Sequence, residues 1–386
     1  MARIVGDELG YSYYTFDDET ARAAASSDPV GFVLDLADHV VLDEVQRVPE
    51  IFSAIKLVID RDRTPGRFML TGSTNVLLMP SLADSLAGRM ETVRLHPLAQ
   101  CELARTPSRF LERLLTNDFS TSTSARLGHE LVERVVGGGY PAALARSVPS
   151  RRRAWYRSYA EAIVQRDVRD LAHISALDAI AGLLEVAASR TARLLNVSEL
   201  AGPFQVSRPT IREYLTLLER LFLACELPAW HLSQLKRLVK TPKLHMGDTG
   251  LASALLSIDA ESLAADRALF GPLLETFVYQ ELVRLASFRA EPVRFSHYRD
   301  RDGVEVDIVL EVGQKLAAVE VKAAATVTSK DLRGIRHVQA VTGERFVCGV
   351  ILYDGETCVP FGERVWAVPI RALWDAAPNA ADRNLT

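Results

Sequence analysis

Cysteine, positive charge and long apolar runs are all in short supply in this chain of 386 residues. The four cysteines, Cys101, Cys225, Cys348 and Cys358, form no CxxC pair, and no histidine stands at zinc-ligand spacing. A disulfide scaffold or zinc ribbon is thereby excluded, leaving buried or inert thiols. Lys and Arg number 45 against 49 Asp and Glu, for a net charge of -4. A polycation that binds nucleic acid by bulk charge is excluded, and any DNA contact has to use a local patch. No run of roughly 18 apolar residues occurs, so no membrane partner is expected. The longest candidate, 215–227, is broken by Glu219, Arg220 and Glu226. The first residues, MARIVGDELGYSYYTF, lack a basic segment leading into an apolar one. No secretory leader is expected, and the cytoplasm is the expected compartment. No GxSxG occurs, and His96, His231, His245 and His297 are scattered. Serine-hydrolase and zinc-enzyme readings fall away with them. What is present is globular in character: 48% hydrophobic and 24% charged residues, enough for two to three domains at roughly 100–200 residues each.

The first hundred residues alternate between strand-like and helix-like segments. Tyr11–Phe16, Val40–Leu42, Arg67–Leu70 and Glu91–Leu95 read as strands, and Asp17–Ala25 and Pro49–Asp60 as helices. That alternation predicts an α/β layer with a parallel sheet. From about residue 98 to 195 helical periodicity takes over, in Glu130–Val136 and Trp155–Leu171, separated by the turn-rich GGGYP at 137–141. Arg151–Arg153, Arg157, Arg166 and Arg169 make that second helix basic. The stripe reads either as a solvated face paired with acids such as Asp167 and Asp170, or as a phosphate contact. Residues 196–245 read as a helix-turn-helix unit. Asn196 opens one helix and Gly202-Pro203 breaks it; Ser207 caps a second, with Pro209 in its first turn. Arg208, Thr210 and Arg212 then lie near the end of the helix that would meet DNA, and Lys236, Arg237, Lys240 and Lys243 would mark a wing. Beyond 270, Pro272–Ser287 reads as a helix and Phe295–Tyr298, Val304–Glu311 and Lys315–Lys322 as strands. A helix at Ser329–Thr342 and a strand at Phe346–Leu352 follow.

Two constellations carry chemistry. In the first, VVLDE at 40–44 is an apolar strand ending in two acids. In phosphate-loop enzymes such a strand delivers one carboxylate, here Asp43, to Mg²⁺, and the next, Glu44, polarises the attacking water. A second strand, FMLTGSTN at 68–75, ends in small polar residues, so that Thr71, Ser73 and Asn75 would face the γ-phosphate. SLAGRM at 85–90 offers Arg89 to stabilise transition-state charge.

DEVQRVPEIF, LTGSTN, SLAGRM and RLHPLAQCEL, in this order and spacing, resemble the ATPase half of a widespread bacterial and archaeal family. That family joins an AAA-like ATPase to a C-terminal domain of unknown function. GGYPAAL at 138–144, RRRAWYRSYAEAIVQRDVRDL at 151–171 and TPKLHMGDTGLASAL at 241–255 are also similar to it. The resemblance implies ATP and Mg²⁺ as cofactors. One element departs from it. A phosphate loop needs GxxxxGK[ST], whose glycine amides cradle the phosphates and whose lysine neutralises them, and this sequence contains no Gly-Lys pair. Family members carry that loop upstream of the segment matching Tyr11–Asp18. The expectation is therefore an N-terminally truncated ATPase domain, whether by a start assigned too far downstream or as a remnant, and poor ATP binding by the chain as written. Loss of the loop's strand would leave two neighbouring strands with unpaired backbone groups, at roughly 1–3 kcal/mol each when buried.

In the second constellation, Glu275 lies on a helix, Asp307 follows an Asp302-Gly303 hairpin turn, and Glu320-x-Lys322 ends the next strand. These are the elements of the PD-(D/E)xK nuclease core, and they resemble Holliday-junction resolvases. Asp307 and Glu320 would hold Mg²⁺, with Glu275 completing the shell. Lys322 shares a strand face with Glu320 and would orient the water. Glu281 and Glu305 are alternatives for the acids.

The fold class so reached is α/β, in four parts. These are a partial AAA-like P-loop sheet (1–100), a helical lid or linker (101–195), a winged-helix-like unit (196–250) and a restriction-endonuclease-like domain (265–375). Three functions follow: a DNA-associated ATPase-family protein with an incomplete ATP site, a DNA-binding or Mg²⁺-dependent nuclease-like protein, or a non-enzymatic winged-helix adaptor. DNA and further copies of the chain are the partners left open.

Overall fold

The computed structural model describes residues 1–72, 86, 88–165, 177–204, 206–231 and 241–375. The chain divides into two compact units. One comprises Met1–Val93 with Arg220–Phe222, the other Arg94–Glu219 with Leu223–Thr386.

The first unit is a parallel sheet under helices. Strands β1 (Ser12–Thr15), β2 (Val40–Asp43) and β3 (Phe68–Leu70) pair in that order, β2 in the middle. Register matches Ser12 with Val40, and Val40 with Phe68. Helices α1 (Ala2–Leu9), α2 (Glu19–Ser27), α3 (Pro29–Leu34) and α4 (Ile51–Arg61) connect and cover it. Asp18 caps α2 by accepting from the Ala21 amide, and Asp28 caps α3 from Gly31. Val40, Leu42, Phe16, Ile51, Phe52 and Ile55 form the centre of this core. The alternation in the sequence thus lands on the observed elements, with one exception. Residues 91–95 carry a strand-like pattern yet lie as irregular chain, with Val93 and Leu95 exposed. Alternation supplies the side chains of a strand, but a strand also needs a ladder, and among the described residues no backbone pairs with this segment.

The second unit holds two sheets. Helices α5 (Phe110–Thr116), α6 (His129–Gly137), α7 (Pro149–Ile163) and α8 (Leu177–Ser189) precede a small antiparallel sheet of order β5-β7-β6. Its strands are β5 (Arg193–Leu194), β6 (Ala224–Leu227) and β7 (Lys243–Met246). Between β5 and β6 run α9 (Val197–Ala201) and α10 (Arg208–Arg220). The large sheet has seven strands in the order β4-β12-β13-β11-β10-β9-β8. They are β4 (Ser122–Thr123), β8 (Arg294–Arg299), β9 (Glu305–Val312), β10 (Lys315–Lys322), β11 (Phe346–Tyr353), β12 (Thr357–Pro360) and β13 (Val365–Pro369). Helices α12 (Arg267–Ser287) and α13 (Arg333–Thr342) pack on it, and α11 (Thr249–Leu255) follows β7. β8, β9 and β10 form an antiparallel meander, whereas β10 and β11 pair in parallel across α13. The expected Asp302-Gly303 turn joins β8 to β9, with Gly303 at φ 73. An early segment is sewn to the far end of this sheet. β4 pairs with β12, Trp366 Nε1 donates to Asn117 Oδ1 at 3.0 Å, and Ser108 Oγ donates to the Leu373 carbonyl at 2.7 Å.

Two boundaries differ from the sequence reading. α12 begins at Arg267 rather than at Pro272, because Asp266 caps it, accepting from the Ala268 and Leu269 amides at 3.0 and 3.1 Å. Pro272 is then carried inside the helix. α7 begins at Pro149, and its expected tail at 166–171 lies outside the described residues, as do Asp167, Asp170, Arg166 and Arg169. Two of the described arginines of α7 meet neighbouring segments. Arg157 donates to the Ala254 carbonyl at 3.1 Å and to Ser257 Oγ at 2.6 Å, and Arg153 lies 3.8 Å from Asp259.

GGGYP and GDTG prove to be two halves of one contact. Asp248 caps α11 from the Gly250 and Leu251 amides, while its other oxygen accepts the Gly139 amide at 2.8 Å. Gly138 sits at φ 67, and a Cβ there would overlap both Asp248 Oδ1 and the Tyr156 hydroxyl. Gly138→Ala therefore combines a left-handed strain with a clash in a buried polar cluster. We expect a loss of about 1–3 kcal/mol, read as a lowered urea midpoint. An unchanged midpoint would show that the contact gives way without cost.

Candidate functional site

In the first unit, Asp43 and Glu44 stand at the carboxyl end of the middle strand β2, where an open parallel sheet presents its loops. Tyr13 of β1 donates its hydroxyl to Asp43 Oδ2 at 2.7 Å, and Thr71, just past β3, donates to Oδ1. Burial opposes ionisation of Asp43, but the hydroxyls of Thr71, Tyr13 and Thr15 outweigh it and hold the carboxyl below its ordinary value. The same contact pushes the Tyr13 phenol up to about 12, chiefly through its hydrogen bond to Asp43. Glu44 leaves the strand at φ 58, a left-handed conformation unusual for a side-chain-bearing residue, and Gln46 donates to its carboxylate. Asp43, Glu44 and Thr71 are thus brought together. Arg89 is engaged elsewhere, its Nε 2.8 Å from Asp60 Oδ1. Asp60 lies near the end of α4 that leads into the start of β3. That is the edge of the sheet opposite to Asp43. Ser73 and Asn75 lie outside the described residues.

In the second unit, the acids of α12, β9 and β10 converge. Glu275, Glu305 and Asp307 surround the ammonium of Lys243, which projects from β7. Lys243 Nζ lies 2.8 Å from Glu275 Oε1, 2.7 Å from Glu305 Oε1 and 3.2 Å from Asp307 Oδ1. The second oxygen of Asp307 accepts the Val321 amide at 2.9 Å. Glu320 and Lys322 share a face as alternation along a strand requires, Lys322 Nζ lying 2.8 Å from Glu320 Oε1. Burial, with the charge of Asp307 next, pushes the Glu320 carboxyl up to about 8, and the same two causes push Glu275 up. Burial works against the charge on Lys243, but Asp307, Glu275 and Glu305 overcome it and hold the ammonium charged. His245 sits two residues along β7, on the same side. Its Nδ1 meets Thr276 Oγ1 at 3.0 Å, and its fully buried Nε2 has no hydrogen-bond partner among the described residues. Glu281, the alternative acid, is not part of this group. It lies one turn and a half along α12 and pairs with Arg284 at 2.8 Å.

On α10, Ser207 caps as expected: its Oγ accepts the Thr210 amide at 3.3 Å and contacts the Thr210 hydroxyl at 2.7 Å. Thr210 is thereby committed to the cap. Arg212 is ion-paired with Glu226 of β6, while Arg208 is exposed. Lys236, Arg237 and Lys240 lie outside the described residues. Lys243, expected on a wing, is instead buried in the acid cluster. The sequence signal for this was the strand pattern KLHM, which puts Lys243 and His245 on one face. Proximity to three other basic residues masked it.

Comparison with known proteins bears on the whole chain. Residues 1–104 match the family model described as AAA domain, and residues 270–373 match Domain of unknown function (DUF4143). The chain is similar to AAA-type ATPases that end in a domain of unknown function. Between these segments, residues 128–262 match a second model, Domain of unknown function (DUF8612). Two relatives are the uncharacterized proteins Mb2031c of Mycobacterium bovis and Rv2008c of Mycobacterium tuberculosis. Each is 27% identical over 372 residues, covering 96% of this chain and 76% of the relative. The crystal structure of protein VC1899 from Vibrio cholerae aligns over 92% of this chain and 78% of its own. At 10% identity and a TM-score of 0.22, it carries no argument. The AAA-like segment thus contains the acids at 43 and 44, and the DUF4143 segment contains Glu275, Glu305, Asp307, Glu320 and Lys322. Among the described residues no helix is long and apolar enough to cross a membrane.

Proposed function

We propose that the protein is a DNA-associated protein of the ATPase type, in which the AAA-like segment supplies the metal-and-water side of a nucleotide site. The observation that carries this reading is the ionised Asp43 at the end of the central strand, flanked by Glu44 and bonded to Thr71. An ionised carboxylate with hydroxyls beside it is the donor set that suits Mg²⁺, and Asp43 with Thr71 would hold that ion. When bound, Mg²⁺ neutralises phosphate charge. Glu44 would hold the attacking water. The 386 residues contain no Gly-Lys pair to cradle the phosphates, so Mg²⁺-ATP affinity for this polypeptide should be roughly millimolar or weaker. Saturation-transfer NMR on ATP reads affinities in that range. Weak, Mg²⁺-dependent signals lost in Asp43→Ala are expected. Silence at several times that concentration, roughly 5 mM, would sink the nucleotide reading, and micromolar binding would sink the incomplete site.

The DNA association rests on element order. The succession α8, β5, α9, α10, β6 and β7, with strand order β5-β7-β6, supports a winged-helix reading, in which α10 would enter the major groove. Against duplex DNA, fluorescence anisotropy should give salt-sensitive binding. Arg208→Ala should reduce the slope of log affinity against log salt by about 1. Arg212→Ala should change it less, because that guanidinium already has Glu226. Equal effects of the two variants would argue that α10 is not the contact. The run α12, β8, β9, β10, α13, β11 likewise supports a nuclease-like fold for the C-terminal part. An oligomer, common among AAA domains, fits the same reading.

A further inference from the structure

Mg²⁺ is the ion that the nuclease-like resemblance implies for Glu275, Asp307 and Glu320, and the geometry of these residues does not fit it. Three oxygens, from Glu275, Glu305 and Asp307, converge on one point, and the Lys243 ammonium stands there at 2.7–3.2 Å. The lysine side chain is only 3% exposed. It is delivered by a strand, β7, whose four residues are all buried. The remaining oxygen of Asp307 is held by the Val321 amide, and Glu320 meets Lys322 through Oε1 alone, its buried Oε2 having no hydrogen-bond partner among the described residues and lying outside the group around the ammonium. Magnesium requires oxygens at about 2.0–2.1 Å in near-octahedral array. It cannot take the oxygens that the ammonium already shares without two cations standing in contact. A second observation points to the same place. The Nε2 of His245, a fully buried ring, is unpartnered among the described residues and lies 3.9 Å from Glu275 Oε1. It is a further donor aimed at the cluster that the ammonium, with no acceptor of its own and its protons committed to carboxylates, leaves unused.

We propose that Lys243 is a built-in cation occupying the metal position of this acid cluster. The C-terminal centre is then independent of divalent ions and does not cleave phosphodiesters. The cluster without the ammonium is a latent divalent-cation site of Glu275, Glu305, Asp307 and His245. This goes beyond the ATPase reading and is independent of it, since it concerns only β7, α12, β9 and β10.

Mn²⁺ binding to the full chain, counted by electron paramagnetic resonance, tests it. The wild type and Glu305→Gln are compared first; Glu305 is 30% exposed and should be replaceable without unfolding. Ions held at Asp43 are common to both and cancel. The two should bind Mn²⁺ alike, whereas a wild-type ion lost in Glu305→Gln would overturn the proposal. Lys243→Ala should then gain one Mn²⁺ per chain, at least tenfold tighter than any in the wild type, and Lys243→Ala with Glu305→Gln should lose that gain. A folded Lys243→Ala without an additional ion would overturn the proposal. If Lys243→Ala folds only when Mn²⁺ is added, that rescue supports it. If it folds under neither condition, the wild-type comparison decides alone.

Discussion

Arg284→Met should destabilise the second unit by about 3–5 kcal/mol, the cost of stranding buried charges. The guanidinium lies between two carboxylates with no solvent to replace it. Its Nη2 is 3.1 Å from Asp248 Oδ2 and its Nη1 is 2.8 Å from Glu281 Oε1, and the same Nη1 donates to the Leu98 carbonyl at 3.0 Å. Arg284 is 4% exposed, and both acids are fully buried at 0%. Glu281 in turn accepts the Gln100 amide at 2.8 Å, and Asp248 holds the Gly139 amide. One side chain therefore ties α12 to the start of α11, to the glycine turn and to the chain at 98–100. Lysine should rescue little, since a single point charge cannot reproduce a planar fork that reaches two acids and a carbonyl. All four tryptophans, Trp155, Trp230, Trp366 and Trp374, lie in the second unit, so their fluorescence in urea follows that unit alone. The midpoint should fall by roughly 1–2 M. Arg289→Met provides the contrast, because its partner Glu291 is 71% exposed and such pairs contribute little. A loss below about 1 kcal/mol for Arg284→Met would mean that water reaches the cluster.

The same fluorescence assay, repeated across pH, should find the second unit most stable in mildly acidic solution. Glu320 has its folded pKa raised from 4.5 to about 8 by burial and by Asp307. The folded state therefore holds a proton that the unfolded chain releases. The stability tied to that proton is present below about pH 4.5 and lost as pH rises toward 8. The slope approaches 1.4 kcal/mol per unit, so the loss is on the order of 5 kcal/mol over the window. His297 acts in the opposite sense. Burial, with Lys243 next, lowers it from 6.5 to about 4, and His245 is lowered for the same two reasons. Their contribution is present above pH 6.5 and lost as pH falls through the folded value. Glu320→Gln should flatten the falling limb above pH 5 and leave the acid limb in place. A variant that keeps the wild-type slope between pH 5 and 8 would show that another group carries the proton.

The sequence made local features legible and long-range partners illegible. β2 with its terminal acids, the β8–β9 turn and the Glu320–Lys322 pair were all readable, because each depends on neighbours a few residues away. The cap at Asp266 was equally local, but Pro272 is the louder start signal and drew the boundary to itself. Lys243 was read as a wing residue, since nothing in KLHM says that three carboxylates from α12 and β9 will surround it. Asp248, Glu281 and Arg284 escaped for the same reason. Their roles lie in a contact between segments more than a hundred residues apart, visible in the sequence only as unexplained GGGYP and GDTG turns. Arg89 shows the same limit from the other side. An arginine before a strand suits a phosphate, but an acid on α4 lies nearer.

The pairing of β4 with β12 sets a timetable for the nascent chain. Residues 106–124 reach their partners only when residues 356–374 exist, a loop of some 250 residues that must close last. During synthesis at about 5–20 residues per second, the early segment waits for on the order of ten seconds or more with its apolar face uncovered. Large loops of this kind slow folding. A ribosome that stalls before β12 leaves Phe119 without Trp366 and β4 without its partner strand, a state for which chaperones have affinity.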